Sequence, residues 1–342
     1  MLNVNSKESP EYLRMSLAGA ITLSFRRGRF YRNARLHCLN LLLTYTEGCS
    51  GNCAYCGLSV ERQGSYEAKS FIRVDWPIYP LDEILYRLDR EEHDLKRICI
   101  SMITNPRAIS DTKLVSQRIL EAKLDLPLSL LIAPTVLAIP DLAEMKKYGV
   151  DRVGIAIDAA TEDIFRQMRG EGVKGPHRWE TYWETVRGAL KVFGEEKVGV
   201  HLITGLGETE KEMAGCIQRV HSMGARTHLF SFYPETNSSL SHLSLPPLGQ
   251  YRRIQLAQYL IEKDLAPVDD ISFSQDGDIL NFGINRGMLD EVIQAGRPFK
   301  TSGCPGCNRP YANSRPGPEI RNYPFPPSRE DIERVREQIC LR

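Results

Sequence analysis

The sequence predicts an α/β protein: a partial (β/α)6 TIM-type barrel with a helical N-terminal preface and an irregular, cysteine-containing C-terminal extension. Three observations predict it. Six short apolar runs recur along the chain, helical stretches lie between them, and three cysteines sit directly behind the first run.

The runs are 39–44 (LNLLLT), 97–102 (RICISM), 128–133 (LSLLIA), 153–158 (VGIAID), 198–203 (VGVHLI) and 227–233 (THLFSFY). Strands covered on both faces read as unbroken apolar stretches, so these are expected to be buried and parallel. Helices are expected over 80–92, 110–122, 138–148, 177–193 and 208–223. Strand alternating with helix implies right-handed crossovers. The pattern fits an open doubly wound sheet as well as a barrel, and the cysteine motif favours the barrel. Three regions follow: a helical extension over 1–37, the barrel over 38–240, and a C-terminal extension over 241–342. The last carries a periodic helix at 248–264, a strand and turn at 271–279, and a stretch at 303–328 too rich in Gly, Pro and Asn for regular structure.

Charge is balanced, with 44 Lys and Arg against 43 Asp and Glu. No global basic field points to nucleic acid or a membrane surface, and neither is expected as a partner. The first thirty residues lack the order of a secretion signal, and no run reaches the roughly 20 apolar residues of a membrane span. A soluble, cytoplasmic protein is expected. In that setting nine cysteines point to metal or catalysis more than to disulfides.

Cys49, Cys53 and Cys56 form a CxxxCxxC turn, and Gly48, Gly51 and Gly57 let the backbone wrap close to a bound group. Three thiolates can hold three corners of a cubane and leave the fourth iron open. A zinc knuckle, or a half site awaiting a distant ligand, would use the same residue types. Tyr55 and the strand-end location weigh against zinc.

This motif, with its surroundings, resembles the radical S-adenosylmethionine superfamily over roughly residues 38 to 233. The resemblance implies that the open iron chelates the cofactor's amino and carboxylate groups, and that one-electron reduction yields a 5′-deoxyadenosyl radical. It also implies site residues. Tyr55 stands beside the cluster, Asp158 at the end of the fourth run would bind the ribose, Arg169 the methionine carboxylate, and Asn105 the methionine amino group. Gly205 and Gly207, in HLITGLGET, would let the cofactor approach the backbone, as in the biotin synthase and lipoyl synthase branches. The same glycines also suit an ordinary strand-to-helix turn with Thr209 at the helix start.

A second hook, Cys304-Pro-Gly-Cys307, puts two thiols on one turn. No second pair lies nearby, so further ligands must come from distant sequence. Cys38 and Cys99, on the first two runs, are the candidates, although a small buried cysteine in a strand is usually packing. Resemblance to the classical lipoyl synthase, where a serine ligates the auxiliary cluster, implies Ser302 or Ser314 as an oxygen ligand. Cys216 and Cys340 are read as bystanders. His228, Tyr233 and Trp179 would serve equally as cavity walls or as core.

The early ARLHCLNLLLTYTEGCSGNCAYCGLS, the GLGET turn and the late CPGCNRPYANSRPG together resemble one subunit, the second, of the two-protein non-classical lipoyl synthases. That resemblance implies sulfur insertion from a sacrificial auxiliary iron–sulfur cluster into an octanoyl chain on a lipoyl carrier domain. The implied partners are a sister subunit and a ferredoxin or flavodoxin as electron donor. The chain lacks the N-terminal CxxxxCxxxxxC run of the classical enzyme. Alternatives are a biotin synthase-like enzyme with another substrate and a non-catalytic iron–sulfur or zinc scaffold.

Overall fold

Six parallel strands, side by side in chain order, make up the body of one eight-stranded sheet in the computed structural model, which describes residues 7–312, 316–317 and 319–339. The chain runs β1 (Tyr12–Met15), α1 (Leu17–Thr22), β2 (Cys38–Leu43), β3 (Ile78–Pro80), α2 (Leu81–Arg90), β4 (Arg97–Ser101), α3 (Ala108–Glu121) and β5 (Leu128–Ile132). It continues through α4 (Ile139–Lys147), β6 (Val150–Asp158), α5 (Glu162–Met168), α6 (Trp179–Phe193), β7 (Val198–Thr204), α7 (Glu210–Ser222) and β8 (Arg226–Ser231). Beyond the sheet lie α8 (Leu248–Glu262), the small β9 (Ser272–Phe273) and β10 (Ile279–Asn281) hairpin, α9 (Arg286–Ala295) and α10 (Arg329–Ile339).

The parallel strands β2, β4, β5, β6, β7 and β8 are the six expected runs, and β3 and β8 are the sheet's edges, so the barrel is partial and open. The expected helices are present as α2, α3, α4, α6, α7 and α8. Ile98, Ile100, Val153, Ile155, Val198 and Val200 are fully buried between sheet and helices. Each such side chain contributes about 1.5 to 3 kcal/mol. Among the described residues, no helix is long and apolar enough to cross a membrane.

The N-terminal preface differs from expectation. Only the six-residue α1 is α-helical there, and β1 pairs antiparallel with both β2 and β3, extending the sheet by two strands. Leu13 and Met15 are buried, as is Arg14, whose guanidinium bonds the carbonyls of Trp76 (2.8 Å), Tyr66 (3.1 Å) and Lys69. Those bonds offset the cost of burying the charge.

Candidate active site

The loop after β2 carries Cys49, Cys53 and Cys56 across the C-terminal end of the sheet, and its backbone is pinned on several sides. The Ser50 amide and hydroxyl both donate to the Thr104 carbonyl (2.8 and 2.9 Å), Asn52 donates to Val173 (2.7 Å), and the Ala54 amide donates to Met168 (2.8 Å). Two thiols receive backbone amides: Gly51 N donates to Cys49 Sγ (3.3 Å) and Leu58 N to Cys56 Sγ (3.4 Å). Burial pushes the Cys53 and Cys56 thiols up, and the Leu58 amide partly counters this at Cys56. Gly57 is sterically required, and Gly51 is closely surrounded. A Cβ on Gly57 would lie 2.0 Å from the Ser70 carbonyl oxygen, and one on Gly51 would lie 3.0 Å from His177 Nε2 and 3.3 Å from Cys49 Sγ.

Beside the triad runs a buried polar relay. The Tyr55 hydroxyl donates to Asp158 Oδ2, which also faces Arg169 Nη1 at 3.2 Å. Arg169 Nη1 further donates to the carbonyls of Ala156 and Ile157, and Nη2 to the Tyr182 hydroxyl (3.1 Å). Tyr182 OH and Thr135 Oγ1 both meet His177 Nδ1, at 3.0 and 2.6 Å. Nε2 of His177 faces the cysteine loop, 3.0 Å from where a Cβ on Gly51 would lie. Burial, with Arg169 adding to it, lowers the His177 pKa to about 2. Asp158 has φ +66° and follows a register shift between β6 and β7, a bulge at the strand end that aims its carboxylate into the site. Its Oδ1 makes no hydrogen bond among the described residues, and burial raises its pKa.

Tyr55, Asp158 and Arg169 line one cavity of about 420 Å³ with the triad. Arg169, however, spends both terminal nitrogens on β6, Asp158 and Tyr182, and only Nε lacks a partner. It has no pair of free donors for a bidentate carboxylate clamp and instead fixes the end of β6. Asn105 donates to the Gly48 carbonyl (3.2 Å) and accepts from Arg107 N (3.0 Å). It braces the cysteine loop and does not line the cavity. Gly205 and Gly207 lie outside the cavity too. The Glu208 carboxylate accepts the amides of Gly205 (2.6 Å) and Leu206 (2.9 Å), and Thr209 caps α7 in a capping box with Glu212. The turn is thus a capped strand-to-helix turn, braced by Glu208.

The remaining cysteines form a second set on the same cavity. Cys38 lies two residues from Asn40, the partner of Cys99, and so shares its face of the sheet; both thiols emerge on the inner face. Cys304 and Cys307 reach them from the C-terminal extension, held by Asn308, which bonds the His37 amide (3.0 Å) and the Arg35 carbonyl (2.7 Å). Interaction of the Cys38 thiol with those of Cys307 and Cys99 raises its own pKa and lowers theirs, Cys307 to about 6. Arg309 helps hold Cys307 down, with its guanidinium 4.0 Å above the Phe230 ring. Burial pushes Cys304 up to about 12. Ser302 Oγ accepts from Leu229 N (2.8 Å), docking the hook on β8, and Arg309 Nη2 donates to its carbonyl (2.6 Å). Ser314 and Cys340 lie outside the described residues. Cys216 is buried on α7, away from both sets.

Arg309 and His201 carry no weight in the sequence reading, yet both line the cavity, beside His228, which that reading offered as wall or core. The two imidazoles are paired in register on β7 and β8, with ring centroids 5.0 Å apart. Gly154 and Gly199 make room for them: a Cβ there would lie 2.9 Å from His201 Nε2 and 2.4 Å from His228 Cε1. Tyr233 is a wall of the cavity, whereas Trp179 packs in the core against Phe165 and Trp183.

The donor chemistry of the Cys49 triad, three thiols on one loop, fits an iron–sulfur cluster. A cubane gives each thiolate its own iron. A sequence profile of the radical SAM superfamily matches residues 43–220. The chain belongs to the radical SAM superfamily. Membership implies a [4Fe–4S] cluster and S-adenosylmethionine; Cys49, Cys53 and Cys56 are the residues that would hold the cluster. No curated protein matches this radical SAM chain in sequence. Solved structures resemble it in fold alone. HydG, a maturase of the [FeFe]-hydrogenase, aligns with TM-score 0.51 and 16% identity over 72% of this chain, which spans 53% of that protein. Methylornithine synthase aligns with TM-score 0.48 and 13% identity over 80% of this chain and 86% of the other. The methyltransferase TsrM from Kitasatospora setae aligns with TM-score 0.42 and 12% identity over 90% and 62%.

Proposed function

We propose that this radical SAM enzyme inserts sulfur into the octanoyl chain of a lipoyl carrier domain, working with a sister subunit. One observation carries the reading: Cys38, Cys99, Cys304 and Cys307 line the same cavity as the Cys49 triad. When bound, S-adenosylmethionine on the first cluster supplies a hydrogen-abstracting radical, and a second cluster supplies sulfur.

The chain's residues suit the two tasks. Tyr55 and Arg169 hold Asp158 with Oδ1 left over for a cofactor hydroxyl. Leu17, Ile21, Phe30, Leu36, Phe71 and Trp76 wall the same cavity, an apolar surface matched to an aliphatic chain. Arg309 and Arg97 favour thiolate at Cys307, the form that binds iron.

The test is mass spectrometry of an octanoylated lipoyl domain after anaerobic turnover, with a ferredoxin or flavodoxin as donor. Gain of sulfur in the presence of the sister subunit is expected. No gain on that substrate, with sulfur entering desthiobiotin instead, moves the assignment to the biotin synthase type. Absence of 5′-deoxyadenosine under all conditions makes the chain a scaffold.

A further inference from the structure

A second cavity, of about 440 Å³, lies at the opposite end of the sheet from the Cys49 triad. Its walls are the starting residues of the last three strands: Arg152 on β6, Val198 and Gly199 on β7, Arg226 and Thr227 on β8. The segment 297–305 closes it from the C-terminal extension. His228 and Cys304 line both cavities. The second thiol set is thus approached from two sides, and Cys304 stands where the two spaces meet.

The charge of this second space is one-sided. Arg152, Lys197, Arg226, Lys263, Arg297 and Lys300 line it, against Glu196 and Glu262. Both carboxylates are engaged, since Arg226 pairs with Glu196 and lies 3.9 Å from Glu262, whose Oε1 also accepts Thr227 N (2.7 Å). Lys197, Lys263, Arg297 and Lys300 have no ion-pair partner among the described residues. A concave site lined by one sign of charge concentrates ions of the other sign, by about tenfold or more. The triad-side cavity offers no equivalent route, because there the cofactor and an acyl chain would occupy the space.

We propose that this basic cavity is an anion-selective entrance to the second thiol set, taking small sulfur anions such as hydrosulfide from the face opposite the substrate. The proposal rests on the sulfur-insertion reading, in which sulfur given up at this set is restored from solution. It assigns Lys197 and Lys300 to attraction of the anion and Cys304 to the inner end of the passage.

The full chain, reduced and free of iron, tests this by thiol labelling. Anionic and cationic methanethiosulfonates of matched size compete for Cys304, and peptide mass spectrometry reads the product ratio. Both reagents meet the same thiol, so its reactivity cancels. An anion-to-cation ratio of about ten is expected. It should fall toward one in Lys197→Glu/Lys300→Glu and in about 0.5 M salt, where charge is screened within a few ångströms. The ratio at Cys49, on the other cavity, should stay unchanged, and Cys216 should stay unlabelled as the sign of an intact fold. No charge preference at Cys304, or a preference that survives the double substitution, overturns the proposal. Loaded protein with a single cluster would sink the sulfur-insertion reading and leave this ratio as it is.

Discussion

The phenol of Tyr55 donates to Oδ2 of Asp158, joining the residue before the third cysteine of the triad to the bulged end of β6. That bond fixes the cysteine loop relative to the residue proposed to meet the cofactor. In Tyr55→Phe the loop keeps its thiols and loses the tie, a buried hydrogen bond worth about 1 kcal/mol. The expected result is near-normal iron content, S-adenosylmethionine binding weakened several-fold, and an altered EPR signal on adding the cofactor. Unchanged cofactor affinity would show that the tie is structural only.

Two glycines separate crowding from conformation. Gly57 has no room, since its added Cβ would meet the Ser70 carbonyl at 2.0 Å, and the cysteine loop must move to admit it. Gly207 has open space but sits at φ +118°. Gly57→Ala is expected to lose about half its iron on reconstitution. Gly207→Ala should keep its iron and pay only backbone strain of about 1 to 3 kcal/mol, read as a lower urea midpoint. The reverse pattern would place the glycine-rich turn, and not the loop, against the cofactor.

Three neutral histidines make the fold acid-sensitive. Burial lowers His177 to about 2 and His228 to about 3, and lowers His201 well below its ordinary 6.5, with His228 and Arg309 adding to the effect. Each folded-state value lies below the unfolded one, so the unfolded chain binds more protons between them. Stability from these groups is complete above about pH 6.5 and is lost as pH falls below it, by up to about 1.4 kcal/mol per pH unit for each histidine. Urea midpoints measured from pH 7 to pH 5 should drop less steeply in His228→Gln than in wild type. Parallel curves would refute the assignment.

The six parallel strands were legible because both faces of each are covered, so their apolar runs are unbroken. β1 was not, because Arg14 sits in a four-residue strand and a charge there reads as surface, whereas its guanidinium is buried on three carbonyls. α10 was hidden for a related reason: REDIERVREQI is mostly charge, with Ile332, Val335 and Ile339 buried along one side. In the site, cysteine spacing and neighbouring strands brought out all seven thiols. Asn105 and Arg169 lie near the loop as expected, but their hydrogen bonds go to the protein, a distinction that only coordinates carry. Arg309, two residues past the second hook, was the available signal for a cation beside Cys307.

The most direct test of two clusters on one cavity is iron and acid-labile sulfide content after reconstitution. Wild type should hold about eight irons, and Cys49→Ala/Cys53→Ala/Cys56→Ala about four, retained by Cys38, Cys99, Cys304 and Cys307. A triple variant devoid of iron, with about four in wild type, would contradict the account.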